Sequence, residues 1–156
     1  MENRLREEKW LEQARRFVES AKNIQNRFPE ISYYLALHAG ELALKSVLVK
    51  EGCFDEEKDK THNMLKLLQK IEEHECLPKS KIEELKEVVK PERIERGLSH
   101  VDVSAPQGEH INSEAGMTSE VRYPIGNSAP YEYIFPSESQ EKVELADKLI
   151  KILSSR

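Results

Sequence analysis

No stretch of this chain approaches eighteen residues free of charge, so none of it reads as a membrane-spanning helix, and Met1–Arg6 lacks the apolar core of a secretory leader. Cysteine is scarce: Cys53 and Cys76 stand alone without CxxC spacing, which argues against a metal site or a disulfide framework and for a reducing cytoplasm. Phosphate-cradling loops are missing as well. There is no GxGxxG, no P-loop and no GxSxG, so dinucleotide enzymes, P-loop NTPases and the common hydrolases have no support, and no cofactor is expected. Nor is there an excess of positive charge. With 24 Lys and Arg against 29 Asp and Glu, the net charge is −5, whereas a general nucleic-acid binder needs clustered cations.

What remains is 156 residues, 38% hydrophobic and 34% charged, a balance that suits amphipathic helices with Glu- and Lys-rich outer faces. That length fits one domain, 1–156, burying roughly two-thirds of its unfolded surface. In a first helix, over about Arg4–Arg27, Trp10, Ala14, Phe17, Ala21 and Ile24 form a seam that Leu11 and Val18 widen. Pro29 marks a short turn into a second helix, antiparallel to the first, which Gly52 ends. Inside that helix Gly40 costs up to about 1 kcal/mol against Ala, which points to close approach by another helix. Met64, Leu65, Leu67, Leu68 and Ile71 predict a third helix. Ser80 and Glu83 have capping-box spacing for a short one buried through Ile82, Leu85 and Val89.

Five of the seven prolines and four of the six glycines fall within about 91–136, which predicts a long irregular excursion re-anchored by Tyr123, Tyr131, Tyr133 and Phe135. Ser137 with Gln140 opens a last helix that buries Val143, Ala146, Ile150 and Leu153. The expected fold is all-α, an up-and-down four-helix bundle plus one short helix, with the excursion before the last helix.

The second helix, YYLALHAGELALKSVLVKEG, is apolar on nearly every side yet carries Tyr34, His38, Glu41 and Lys45 in one line. Polar groups in a core cost on the order of 1–3 kcal/mol each unless they find partners. Three readings stay open: a Glu41–Lys45 pair at the one solvated edge of the helix, a ligand site with Lys45 on a phosphate and His38 or Tyr34 on a base edge, or a network between helices of a dimer. Pro124 forces Tyr123 to be extended and so presents Arg122 and Tyr123 as a fixed pair before the last helix. Arg122 suits either Glu41, as a buried staple, or a phosphate.

The string ALHAGELALKSVLV, with Ala39, Glu41 and Lys45, is followed by THNMLKLL, with His62, Met64 and Leu65, and then by VRYP, with Arg122, Tyr123 and Pro124. In this order the three resemble the HEPN family, the "higher eukaryotes and prokaryotes nucleotide-binding" domains, in its stand-alone RYP-bearing type. The resemblance implies a nucleotide- or partner-binding module, a homodimer, working with a small nucleotidyltransferase in a two-component or toxin–antitoxin-like system. The polar stripe and the resemblance together put Tyr34, His38, Glu41, Lys45, His62, Arg122 and Tyr123 at the expected site.

Catalytic members of the resembled family carry an Arg, four to six residues and a His, and cleave RNA without metal. Arg93 and His100, with six residues between them, fit that spacing, with His moving a proton at the 2′-hydroxyl and Arg stabilising the phosphorane. RNA is a partner only under this alternative, and a purely structural dimerisation bundle is a third. Gly97 interrupts any helix there, and Arg96 offers a competing pair. His100, Asp102, Glu109 and His110 have no metal-ligand spacing, so no metal is expected.

Overall fold

The computed structural model describes residues 2–61, 63–89 and 129–154. Every regular element among them is a helix: α1 (Glu2–Ile24), α2 (Pro29–Lys50), α3 (Met64–Glu73), α4 (Lys79–Val88), the single turn α5 (Pro130–Tyr133) and α6 (Pro136–Ser154). The all-α architecture is the expected one. None of the described helices is long and apolar enough to cross a membrane.

α2 is the axis of the fold. It packs along α1, against α6 and against α3, while α4 closes on α3 and α6. Ala43–Val49 are seven consecutive buried residues, about two helical turns, so no side of this stretch faces water. Alanines at 36, 39 and 43 let neighbours come close, and Leu37, Leu44 and Leu48 fill the space between them. Each such leucine contributes about 1.5–3 kcal/mol by burial. Gly40 is where α3 and α6 converge on α2. A Cβ there would stand 2.9 Å from Met64 Sδ and 3.2 Å from Leu149 Cδ1, which is the close approach that the interior glycine predicted.

The ends of α2 follow from their residues. Pro29 occupies the first turn, where its missing N–H is no loss, and Ser32 Oγ donates to the Ala21 carbonyl at 2.7 Å, tying the start of α2 to the end of α1. At the far end Gly52 has φ 71°. Its amide donates to Val49 O at 3.2 Å and that of Cys53 to Leu48 O at 2.8 Å, a Schellman motif. α3 begins at Asn63, whose side chain accepts from the amides of Leu65 and Lys66.

Several sequence expectations give way to local geometry. The centre of the α1 seam is Leu11, Ala14, Val18 and Ala21, with Trp10, Phe17 and Ile24 half-buried on its flanks. Ser80 is not a cap. Pro78, fixed in an extended conformation, is the N-cap, its carbonyl accepts from Lys81 and Ile82, and Ser80 falls inside α4. Pro136 likewise starts α6 one residue ahead of Ser137, and Glu138 accepts from the Phe135 amide at 3.0 Å. Before α6 the anchor is Ile134, wholly buried, whereas Tyr131 and Phe135 are exposed. Tyr123 lies outside the described residues.

α3 also ends in a Schellman motif, with Glu75 N on Glu72 O and Cys76 N on Ile71 O, but its left-handed position is held by Glu75 at φ 51°. A side chain there costs roughly 1–2 kcal/mol that glycine does not. Glu75→Gly is therefore expected to raise unfolding stability by about 1 kcal/mol in urea titration. A loss of stability would show that the Glu75 side chain carries an interaction outweighing the strain.

Candidate functional site

The polar stripe of α2 is a connected chain of contacts that runs from the surface inward. Tyr34 and His38, one turn apart, are half-buried with rings stacked at 6.4 Å between centroids and 20° between planes. Phe17 of α1 meets the His38 ring edge-on at 4.8 Å. His38 Nδ1 lies 3.6 Å from Glu41 Oε2, and Glu41 Oε1 accepts from Lys45 Nζ at 2.6 Å. The side chains of Glu41 and Lys45 are only 3% and 9% exposed.

That burial removes one reading of the stripe. The pair is not at a solvated edge, where an i,i+4 contact stabilises by a few tenths of a kcal/mol. It is enclosed, and removing one member of an enclosed pair is costlier than removing both. An anion that reaches Lys45 must join a carboxylate already bound there. The half-buried rings of Tyr34 and His38 are the least enclosed part of the stripe.

A second polar group, not recognised in the sequence, lies where α2 and α6 begin. Lys142 is fully buried, its ammonium 5.6 Å above the Tyr33 ring. Tyr33 Oη and Ser139 Oγ are buried without a hydrogen-bond partner among the described residues. Burial pushes the Tyr33 phenol well above its ordinary range, and the carboxylates of Glu138 and Glu141 add to the rise. A signal was there to read. Ser139 and Lys142 continue, at spacings of three and four, the apolar line of Val143, Ala146, Ile150 and Leu153.

Tyr34, His38, Glu41 and Lys45 are thus together on one line. His62, Arg93, His100, Arg122 and Tyr123 lie outside the described residues, as do Asp102, Glu109 and His110. Among the described residues no three His, Cys, Asp or Glu side chains converge as a metal ion requires.

A family model described as "HEPN domain" matches residues 7–155. The structure is similar to that of ST0689, an archaeal HEPN homologue, with a TM-score of 0.55, 18% identity, and 96% of this chain and 95% of that chain covered. It is also similar to that of TT1696 from Thermus thermophilus, with a TM-score of 0.59, 19% identity, and coverage of 96% and 97%. No curated protein matches the chain.

Two stability experiments check the geometry. Glu41→Ala or Lys45→Ala alone is expected to cost ~3–5 kcal/mol, and the double replacement much less than the sum, whereas additive losses would mean the two charges do not depend on each other. Tyr33→Phe, which deletes a buried hydroxyl without a partner among the described residues, is expected to be neutral or to stabilise by up to ~1 kcal/mol. A clear loss on denaturant unfolding would reveal a bond to that hydroxyl.

Proposed function

The chain belongs to the HEPN domain family, and from that premise we propose that it is a cytoplasmic nucleotide- and partner-binding module whose ligand face is the stripe Tyr34, His38, Glu41, Lys45. The observation that carries this reading is the course of the stripe, from half-buried stacked rings to an enclosed ion pair. In this reading a base stacks on Tyr34 and His38 and its phosphate joins the Glu41–Lys45 pair, and the family resemblance adds His62, Arg122 and Tyr123 to the same site. The stand-alone RYP-bearing type suits a single-domain homodimer that works with a small nucleotidyltransferase in a two-component or toxin–antitoxin-like system.

Apolar side chains that α1 and α2 leave exposed support the dimer. Leu5 and Ile31 are 57% and 45% exposed, and Trp10 and Leu42 line a shallow depression of about 270 Å³ with Lys9 and Gln13. Trp10 is partly engaged within the chain, edge-on to Phe54 at 5.0 Å, so a second copy would cover its remaining surface together with Leu42.

Because Lys45 is bound into the fold, Lys45→Ala confounds binding with stability, and the ring residues are the better probes. A nucleotide present at 100 times its dissociation constant should add about 2.7 kcal/mol to stability. With ATP or GTP the melting point of the wild type is expected to rise, Tyr34→Ala and His38→Ala to lose that rise, and Arg93→Ala with His100→Ala to keep it. The ribonuclease alternative predicts EDTA-resistant cleavage of a short RNA, lost in His100→Ala, with a nucleotide response indifferent to Tyr34 and His38. That pattern would overturn the binding-module reading.

A further inference from the structure

α1 and α6 both pack along α2, and two cross-helix contacts tie them to each other. Lys22 Nζ meets Asp147 Oδ2 at 2.8 Å, and Arg15 Nη2 donates to Ser154 Oγ at 2.9 Å. Arg15 and Lys22 are two turns apart on α1, so the ties stand roughly 10 Å from each other. Between α1 and α6 lies a trough of about 540 Å³. Its floor is Val18 and Ile150, both buried, and its walls are charged.

The charges are sorted along its length. Glu19 and Asp147 stand toward the Lys22 tie, and Lys22, bound to Asp147 and one turn from Glu19, answers both acids. Arg15 and Lys151 stand toward the Ser154 tie, with Lys148 one turn before Lys151 on α6. Neither Lys148 nor Lys151 has a carboxylate partner among the described residues. Arg15 is shared only loosely with Glu12, at 3.6 Å and with both side chains about half exposed. After its bond to Ser154 the guanidinium keeps N–H groups for another acceptor, and the Ser154 hydroxyl keeps its own proton to donate. The last-turn carbonyl of Ile152, of the kind that repels an anion, already accepts from Lys81 of α4 at 3.3 Å.

The ties bound the trough at both ends. Roughly 10 Å of length admits a small molecule but no helix, which is itself about 10–12 Å across. The volume is that of a small-ligand site, about 300–1,000 Å³. In a chain of net charge −5, the cations gathered at one end of this trough call for an anion. We propose that the trough between α1 and α6 binds a small organic phosphate, its phosphoryl group on Arg15, Lys148 and Lys151 and a short apolar body on Val18 and Ile150. The fork of Arg15 matches two phosphoryl oxygens, and the lysines act as point charges. A phosphomonoester, carrying about −1.5 to −2 at neutral pH, can be shared among these cations, whereas a carboxylate brings a single charge. The aliphatic stems of Lys148 and Lys151 extend the apolar wall. No residue of the α2 stripe lines the trough, so the inference stands apart from the nucleotide reading.

The test titrates the full chain with phenyl phosphate and follows backbone amide signals by nuclear magnetic resonance. Expected are saturable shifts confined to residues 15–22 and 147–154. Inorganic phosphate, which lacks the body, should bind more weakly, and phenyltrimethylammonium, which keeps the ring and reverses the charge, should not bind. Arg15→Gln should weaken binding about tenfold or more. Because Arg15 also ties α1 to α6, a second variant combines Lys148→Gln with Lys151→Gln, which should weaken binding to a similar degree at an unchanged melting temperature. Tyr34→Ala should bind phenyl phosphate as the wild type does, whatever the nucleotide experiments give. Vesicles of phosphatidic acid, whose headgroup has the same chemistry, should leave the trough signals unchanged. The proposal is overturned by an absence of saturable shifts, by equal shifts with phenyltrimethylammonium, by an affinity that the lysine pair does not alter, or by a response to the vesicles alone.

Discussion

Glu41 and Lys45 meet at 2.6 Å on the one helix that α1, α3 and α6 all pack against, and the fold has to satisfy these two charges before it can close. Removing a carboxylate and an ammonium from water costs several kcal/mol per ion, which only a short, well-partnered contact offsets. α2 supplies that contact within itself, one turn apart, so the pair is already in register when the helix forms. Small residues, Ala36, Ala39, Gly40 and Ala43, let helices approach, and Met64 and Leu149 reach the surface of Gly40.

Polar side chains leave α2 in more than one direction. Toward α1 the line runs from Glu41 through His38 to the edge of Phe17. Toward α6 the ring of Tyr33 lies under the buried ammonium of Lys142. At the two helix ends, Ser32 holds the start of α2 to α1 and Gly52 turns the chain toward α3. The central helix is therefore held by specific polar contacts as well as by apolar packing. Such contacts fix its rotation.

Much of this was legible in the sequence. An apolar helix interrupted by Tyr34, His38, Glu41 and Lys45 announces both its burial and its exceptional face, and Gly40, Gly52 and Pro29 each mark a backbone event that other residues resist. Helix starts were less legible. Ser80 and Ser137 carry capping-box spacing, yet in each case a nearby proline set the first turn. Which of two adjacent stripes becomes the centre of a seam is also hidden. On α1 the larger Trp10 and Phe17 were displaced to the flank because Ala14 and Ala21 allow the closer approach of α2.

The contacts least legible were those between distant segments. Cys53 and Cys76 show no motif spacing, yet they hold matching positions beyond the ends of α2 and α3. Lys142 reads as one more charge on a charged helix until the apolar line around it is extended backward. The central claim, that the α2 stripe is a recognition face and not solely a structural staple, is tested most directly by nuclear magnetic resonance of the side chains themselves. In a titration with ATP, the His38 ring signals and the Lys45 ammonium signal are expected to shift together and to saturate at one stoichiometry. Unchanged His38 and Lys45 signals at a nucleotide concentration that shifts other residues would contradict it.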